Sequence, residues 1–194
     1  MRVIEVGMRG RLSIFDGWQN THETNHDKAV GTQGQDAPSR SVLLNWSTFS
    51  GNEQLDTSVL RLRLFNDSYA VLTLSGKWTF GLVFKVGFQK QAAGCSFDSW
   101  HAASVMVKHT INNRWAIAGQ AEYYLDEYAV IVPTRAPEHF QTIAGSVNVD
   151  SAPFPNILWR DGARAFDSKD AVYLTQVDVK KTDGFPVVSA AVSF

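Results

Sequence analysis

Residues Lys77–Gln89 read KWTFGLVFKVGFQ, and the alternation within this stretch decides the fold class. Trp78, Phe80, Leu82, Phe84, Val86 and Phe88 take the even positions, all large and apolar. Thr79, Gly81, Lys85, Gly87 and Gln89 take the odd ones, with Val83 the single departure. Successive side chains of a strand point to opposite faces, so the segment has one apolar and one polar face. A strand that crosses a bilayer obliquely needs about 9–11 residues and places aromatic side chains at the two interfaces. Both conditions are met, and they predict an all-β fold, an antiparallel transmembrane β-barrel.

Composition agrees. The chain has 194 residues and a net charge of −1, enough for a single β-barrel domain over residues 1–194 and no invitation to nucleic acid or an anionic membrane surface. No apolar run approaches the roughly 18 residues of a helical span, which a barrel would not show in any case. The single cysteine, Cys95, excludes an internal disulfide and a thiolate zinc cluster. The start, MRVIEVGMRGRL, has neither an apolar core nor a small-residue cleavage site of a signal peptide. An outer-membrane protein must be exported, so either the chain is an N-terminally truncated piece of a larger barrel, which is the expectation, or the barrel reading is wrong.

The same alternation recurs along the chain. Strands are predicted at Val3–Phe15, Ala29–Asp36, Ser41–Ser50, Val59–Leu74, Asp98–Thr110, Arg114–Asp126, Phe140–Asp150, Ile157–Phe166 and Gly184–Phe194, about ten with the opening one. In Val59–Leu74 the pattern slips near Phe65-Asn66-Asp67, which predicts a bulge or the strand's exit from the membrane. Short turns fall near positions 38, 76, 112 and 153, with longer polar loops between them, the asymmetry of a transmembrane barrel. The chain closes on Val188, Ala190, Val192 and Phe194 on one face, the form of insertion signal that a barrel-assembly machinery reads in a C-terminal strand.

Several tracts, in order, carry a resemblance. They are Asp16-Gly17-Trp18-Gln19-Asn20, the stretch from Thr48 to Gln54, Arg63-Leu64-Phe65-Asn66-Asp67, and Trp115-Ala116-Ile117-Ala118 with Ala121-Glu122-Tyr123-Tyr124. Gly145 to Asp150, Leu158-Trp159-Arg160, Asp167-Ser168-Lys169-Asp170 and the terminal Phe194 complete the set. Together they resemble the putative beta-barrel porin 2 family of Gram-negative outer membranes, and this chain is similar to its C-terminal half. The resemblance implies an integral outer-membrane porin without enzymatic activity or cofactor. One departure stands out: Asp161 follows Leu-Trp-Arg where the family carries an apolar residue. Alternation puts it on the lipid face, which implies a place near an interface or a disturbed pairing.

Other chemistry is weaker. His22-Glu23-Thr24-Asn25-His26 matches the spacing of zinc proteases, but its polar flanks offer no apolar stripe to dock the helix such chemistry needs. Asn45-Trp46-Ser47 and Asn66-Asp67-Ser68 match a glycosylation pattern inside strands, where chance is the better account. Gly31-Thr32-Gln33-Gly34 lacks the strand–turn–helix setting of a phosphate loop, and His101 and His109 sit too far apart on one strand to share a metal. No metal site or catalytic group is expected.

The remaining candidates are charges on polar faces. Glu5, Arg9, Arg11, Lys85, Glu122, Arg160 and Arg164 are expected to line or constrict a pore, or else to pair with one another inside a filled barrel. Trp78, Trp115, Phe88, Tyr123 and Phe194 are expected at the membrane interfaces. The expected function is a porin-like channel for passive diffusion of small hydrophilic solutes or ions, with outer-membrane lipid as its surroundings. Ten strands alone enclose little space, so this function depends on further strands. The alternatives are a closed small barrel with a structural or surface-recognition role, and a soluble carbohydrate-binding β-sandwich.

Overall fold

The computed structural model describes residues 6–17, 25–134, 140–175 and 178–193. Every regular element in it is a strand: β1 (Gly7–Phe15), β2 (Ala29–Ser39), β3 (Val42–Asn52), β4 (Leu62–Leu74), β5 (Trp78–Lys90), β6 (Phe97–Thr110), β7 (Trp115–Asp126), β8 (Phe140–Phe154), β9 (Ile157–Ser168), β10 (Tyr173–Leu174), β11 (Val179–Lys180) and β12 (Thr182–Val192). Ten of them form one antiparallel sheet in chain order, β1 through β9 and then β12. The short pair β10–β11 projects from the connection between β9 and β12. The sheet is not closed: β1 and β12 are its two edges. Pro186 sits in edge strand β12, where a missing N–H is tolerated. A sandwich would divide its strands between two facing sheets, so this single meander corrects that alternative.

The sheet has inverted polarity. Among the described residues, the buried apolar ones are Ala29, Ala37, Phe49, Trp100 and Ala116 alone, while Asn45, Gln89, Asp126, Thr142 and Asp150 are buried too. Large apolar side chains are exposed across the other face, among them Leu12, Ile14, Trp46, Leu82, Phe84 and Val147. Soluble domains show the reverse.

Register is regular. Phe80, two residues into β5, stands level through Leu72 with Val42, the first residue of β3. Ile117, two residues into β7, stands level through His109 with Trp78, the first of β5. Trp159, two residues into β9, stands level through Ser151 with Trp115, the first of β7. Each hairpin is therefore displaced two residues from the last. Two residues rise about 6.6 Å and two strand spacings cover about 9.6 Å, so strands lie about 35° from the normal to the line joining the turns.

Three expectations change. β2 runs on to Ser39, through the segment expected as a turn, with a register shift between Asp36 and Ser39. β8 likewise continues through Pro153 to Phe154, with the irregularity between Ser151 and Phe154. β4 has no bulge and no break: Phe65, Asn66 and Asp67 keep continuous register with both β3 and β5. The slip has another cause. Phe65 faces inward and stacks on Trp100, with ring centroids 6.4 Å apart. Asn66 and Ser68 face outward and bond each other at 3.1 Å, beside Thr32 and Thr48, whose hydroxyls bond at 2.7 Å.

Candidate functional site

Among the described residues, the candidate charges meet on the polar face of the sheet. Cross-strand partners share a face, so register places them. Arg11, Gln33, Ser47, Asp67 and Lys85 form one continuous row across β1 to β5. The next row toward the short turns joins Arg9, Gln35, Asn45, Tyr69, Val83, Ser104 and Glu122. Arg164 and Arg160 lie on the same face of β9, opposite Ser146 and Asp150. Glu5 lies outside the described residues. Arg9, Arg11 and Lys85 are exposed, while Glu122 and Arg164 are half-buried.

The structure joins some of these charges. Arg164 pairs with Glu122 across the width of β8, and Gln120 also bonds Glu122. The Arg164 guanidinium lies 4.9 Å from the ring centre of Phe166. Arg160 donates from Nε to Asp150 Oδ1 at 2.7 Å and from Nη2 to Oδ2 at 2.9 Å, the fork geometry that suits a carboxylate. Lys108 adds a third contact to Asp150 at 3.2 Å and Asn148 a fourth at 2.8 Å. Asp150 and Lys108 were absent from the sequence candidates. Hairpin register could have found Asp150, which faces Arg160 directly across the β8–β9 pair.

Toward the long loops the polar face fills with rings. Trp100 is buried beside Gly87, where an added Cβ would lie 2.0 Å from the indole. Arg63 lies 5.8 Å from the Trp100 ring centre and donates to Gln89 Oε1 at 2.7 Å. Asp126, fully buried, accepts the backbone N–H groups of Val130 (2.9 Å), Ile131 (2.7 Å) and Val132 (2.9 Å). That carboxylate pins the following loop against the wall.

On the apolar face, Trp78 and Trp115 are the first residues of their strands, at the short-turn rim, and both are exposed. Phe88 lies ten residues beyond Trp78 in β5, which at the strand tilt above is about 27 Å of height. Tyr123 lies eight residues beyond Trp115 in β7 and packs against His101 at 5.8 Å. Trp159 joins this face near the short-turn rim and was not among the expected interface aromatics. Phe194 is outside the described residues. Asp161 does point outward, between Val149 and Val188, and its pairing is intact on both sides. It lies four residues into β9, about 11 Å of height from the rim. The disturbed pairing is therefore corrected.

The zinc-protease spacing finds no support in geometry. His22 and Glu23 lie outside the described residues, and exposed His26 pairs with Asp56 through its ring Nδ1 and its backbone N–H. Among the described residues no group of three metal-ligating side chains converges. His109 packs against Trp78 on the apolar face, with ring centroids 4.2 Å apart and the ring planes tilted by 36°.

Comparison with known proteins gives one family, described as "Putative beta-barrel porin-2, OmpL-like", matched over residues 10–194. No curated protein and no solved structure matches the chain.

Proposed function

The chain belongs to the OmpL-like beta-barrel porin-2 family, and from that premise we propose that it forms the wall of an outer-membrane channel for passive diffusion of small hydrophilic solutes. One observation carries the reading: the sheet's large apolar residues face out while buried carboxylates and amides face in. That inversion suits a wall with lipid on one side and water on the other. The tilt of about 35° falls in the range of transmembrane barrels, and the height from Trp78 to Phe88 is close to the roughly 25 Å of their apolar band.

Channel function requires closure. Ten strands would leave an interior nearly filled by side chains, whereas 16–18 leave an aqueous lumen. The unpaired edges β1 and β12 are the places where further strands would join. In this reading the C-terminal segment, β12 (Thr182–Val192) with the terminal Phe194 of the sequence, is what the barrel-assembly machinery recognises. Arg9, Arg11 and Lys85 supply charge to the lumen, while Asp150 and Glu122 hold Arg160 and Arg164 in fixed positions.

The test is single-channel recording of the native product in planar bilayers. Arg160→Ala combined with Arg164→Ala leaves Asp150 and Glu122 without those partners, so the lumen becomes more negative and the reversal potential in a salt gradient moves toward cations. An unchanged reversal potential would remove both arginines from the conducting path. Absence of any conductance would remove the channel.

A further inference from the structure

The inner wall holds a hollow of about 330 Å³ where β7, β8 and β9 meet the loop pinned by Asp126. Phe140, Phe166 and Tyr173 give it ring faces, and Ile131 and Val132 close one side. The rings are fixed in place. Phe166 packs at 6.0 Å from Tyr173, and Tyr124 at 5.7 Å from Phe140. The Tyr173 hydroxyl is held by Ser168 at 2.9 Å and by Thr142 at 3.0 Å, so its polar tip is occupied while its ring lines the hollow. The acidic and the basic side chain of the lining, Glu122 and Arg164, form a pair.

We propose that this hollow is a subsite for a neutral hydroxylated ring, a monosaccharide in its pyranose form; the proposal rests on the channel reading, which makes the inner wall accessible to solutes. Three features select that chemistry. The apolar rings accept the C–H face of a pyranose, as aromatic linings of ligand pockets accept apolar surface. The Glu122–Arg164 pair offers an acceptor and a donor side by side, and neighbouring sugar hydroxyls both donate and accept. A net anion would meet Glu122 and a net cation Arg164, while a bare aromatic would desolvate the pair and return no hydrogen bond. The volume is near the lower bound of ligand pockets, about 300 Å³, which favours a single ring.

The experiment is saturation-transfer NMR of D-glucose with the full-length native protein in detergent micelles, with benzoate as the aromatic-anion probe. Glucose ring protons should receive saturation and benzoate should not. Tyr173→Ala should weaken glucose binding about tenfold through the lost ring contact. Tyr173→Phe keeps the ring and should retain binding. Absence of glucose binding, stronger binding of benzoate, or equal binding by the Tyr173→Ala protein would overturn the subsite. So would loss in both variants, which would mark Tyr173 as structural. Bilayer conductance of the same preparation separates the two proposals. Conductance without glucose binding overturns the subsite alone, and glucose binding without conductance overturns the channel.

Discussion

The short-turn end and the long-loop end of this sheet are held by different physics. At the short-turn end the chain reverses within a few residues: Ser75 and Gly76 both take positive φ, 51° and 67°, and Asn112 Oδ1 accepts the N–H groups of Arg114 and Trp115. Local geometry suffices there, which leaves the inner side chains near the turns available for an ionic cluster around Asp150. At the long-loop end, local geometry cannot fix the connections, and wall or loop-root side chains take over. Asp126 binds three loop amides, and Asn25 donates to the carbonyls of Asn52 (3.1 Å) and Gln54 (2.7 Å). Beneath them Phe65, Trp100 and Gly87 pack in place of water. The ionic cluster around Asp150 thus sits where the backbone needs least help.

The contrast can be broken at its packed end first. Gly87→Val puts a branched side chain where the Trp100 ring already lies, and overpacking of this kind costs about 3 kcal/mol. Equilibrium unfolding in urea with lipid or detergent, followed by tryptophan emission, should show that loss. Wild-type stability would mean that the Trp100 cluster does not support the wall. The next effect is smaller. Asp126→Ala orphans three amide donors at a place water can reach once the loop lifts, for a loss of about 1–2 kcal/mol. Hydrogen exchange at Val130, Ile131 and Val132 should accelerate while the β7–β8 ladder stays protected. Unchanged exchange at those three amides would show that the loop is held by something else.

How much of this was legible in the sequence follows the same division. The β5 strand and the β6–β7 hairpin emerge within a residue or two of their expected bounds, since alternation and turn chemistry are local signals. Family membership was legible in short tracts spread along the chain. The inward turn of Phe65 was not legible, because its reason, Trp100, lies two strands away and 35 residues on. Lys108 reaches Asp150 from two strands away, and nothing near Lys108 in the sequence points there. The β10–β11 pair, placed within an expected loop, consists of two residues on each side, too short to leave a period. The pocket that it helps to close was illegible for the same reason.

The smallest effect tests whether the loop ties are independent of the wall. Asp56 lies in the β3–β4 loop and accepts the His26 backbone N–H at 3.0 Å as well as meeting the His26 ring. The backbone hydrogen bond first, and the side-chain contact second, hold its carboxyl below the ordinary value of 3.8. A carboxyl lowered in the folded state stabilises the fold above its ordinary pKa, and the contribution disappears as pH falls through the lowered one. The group is fully exposed, so solvent screens the contact and the loss stays local. Followed by NMR into acid, the side-chain carboxyl carbon of Asp56 should therefore show its inflection below pH 3.8. In the Asp56→Asn protein the corresponding amide carbon should show no inflection in that range. Trp100 emission recorded over the same titration should stay flat across the Asp56 transition. A common midpoint for the two signals would mean that loop and wall yield as one unit, and the division between the two ends of the sheet would be lost.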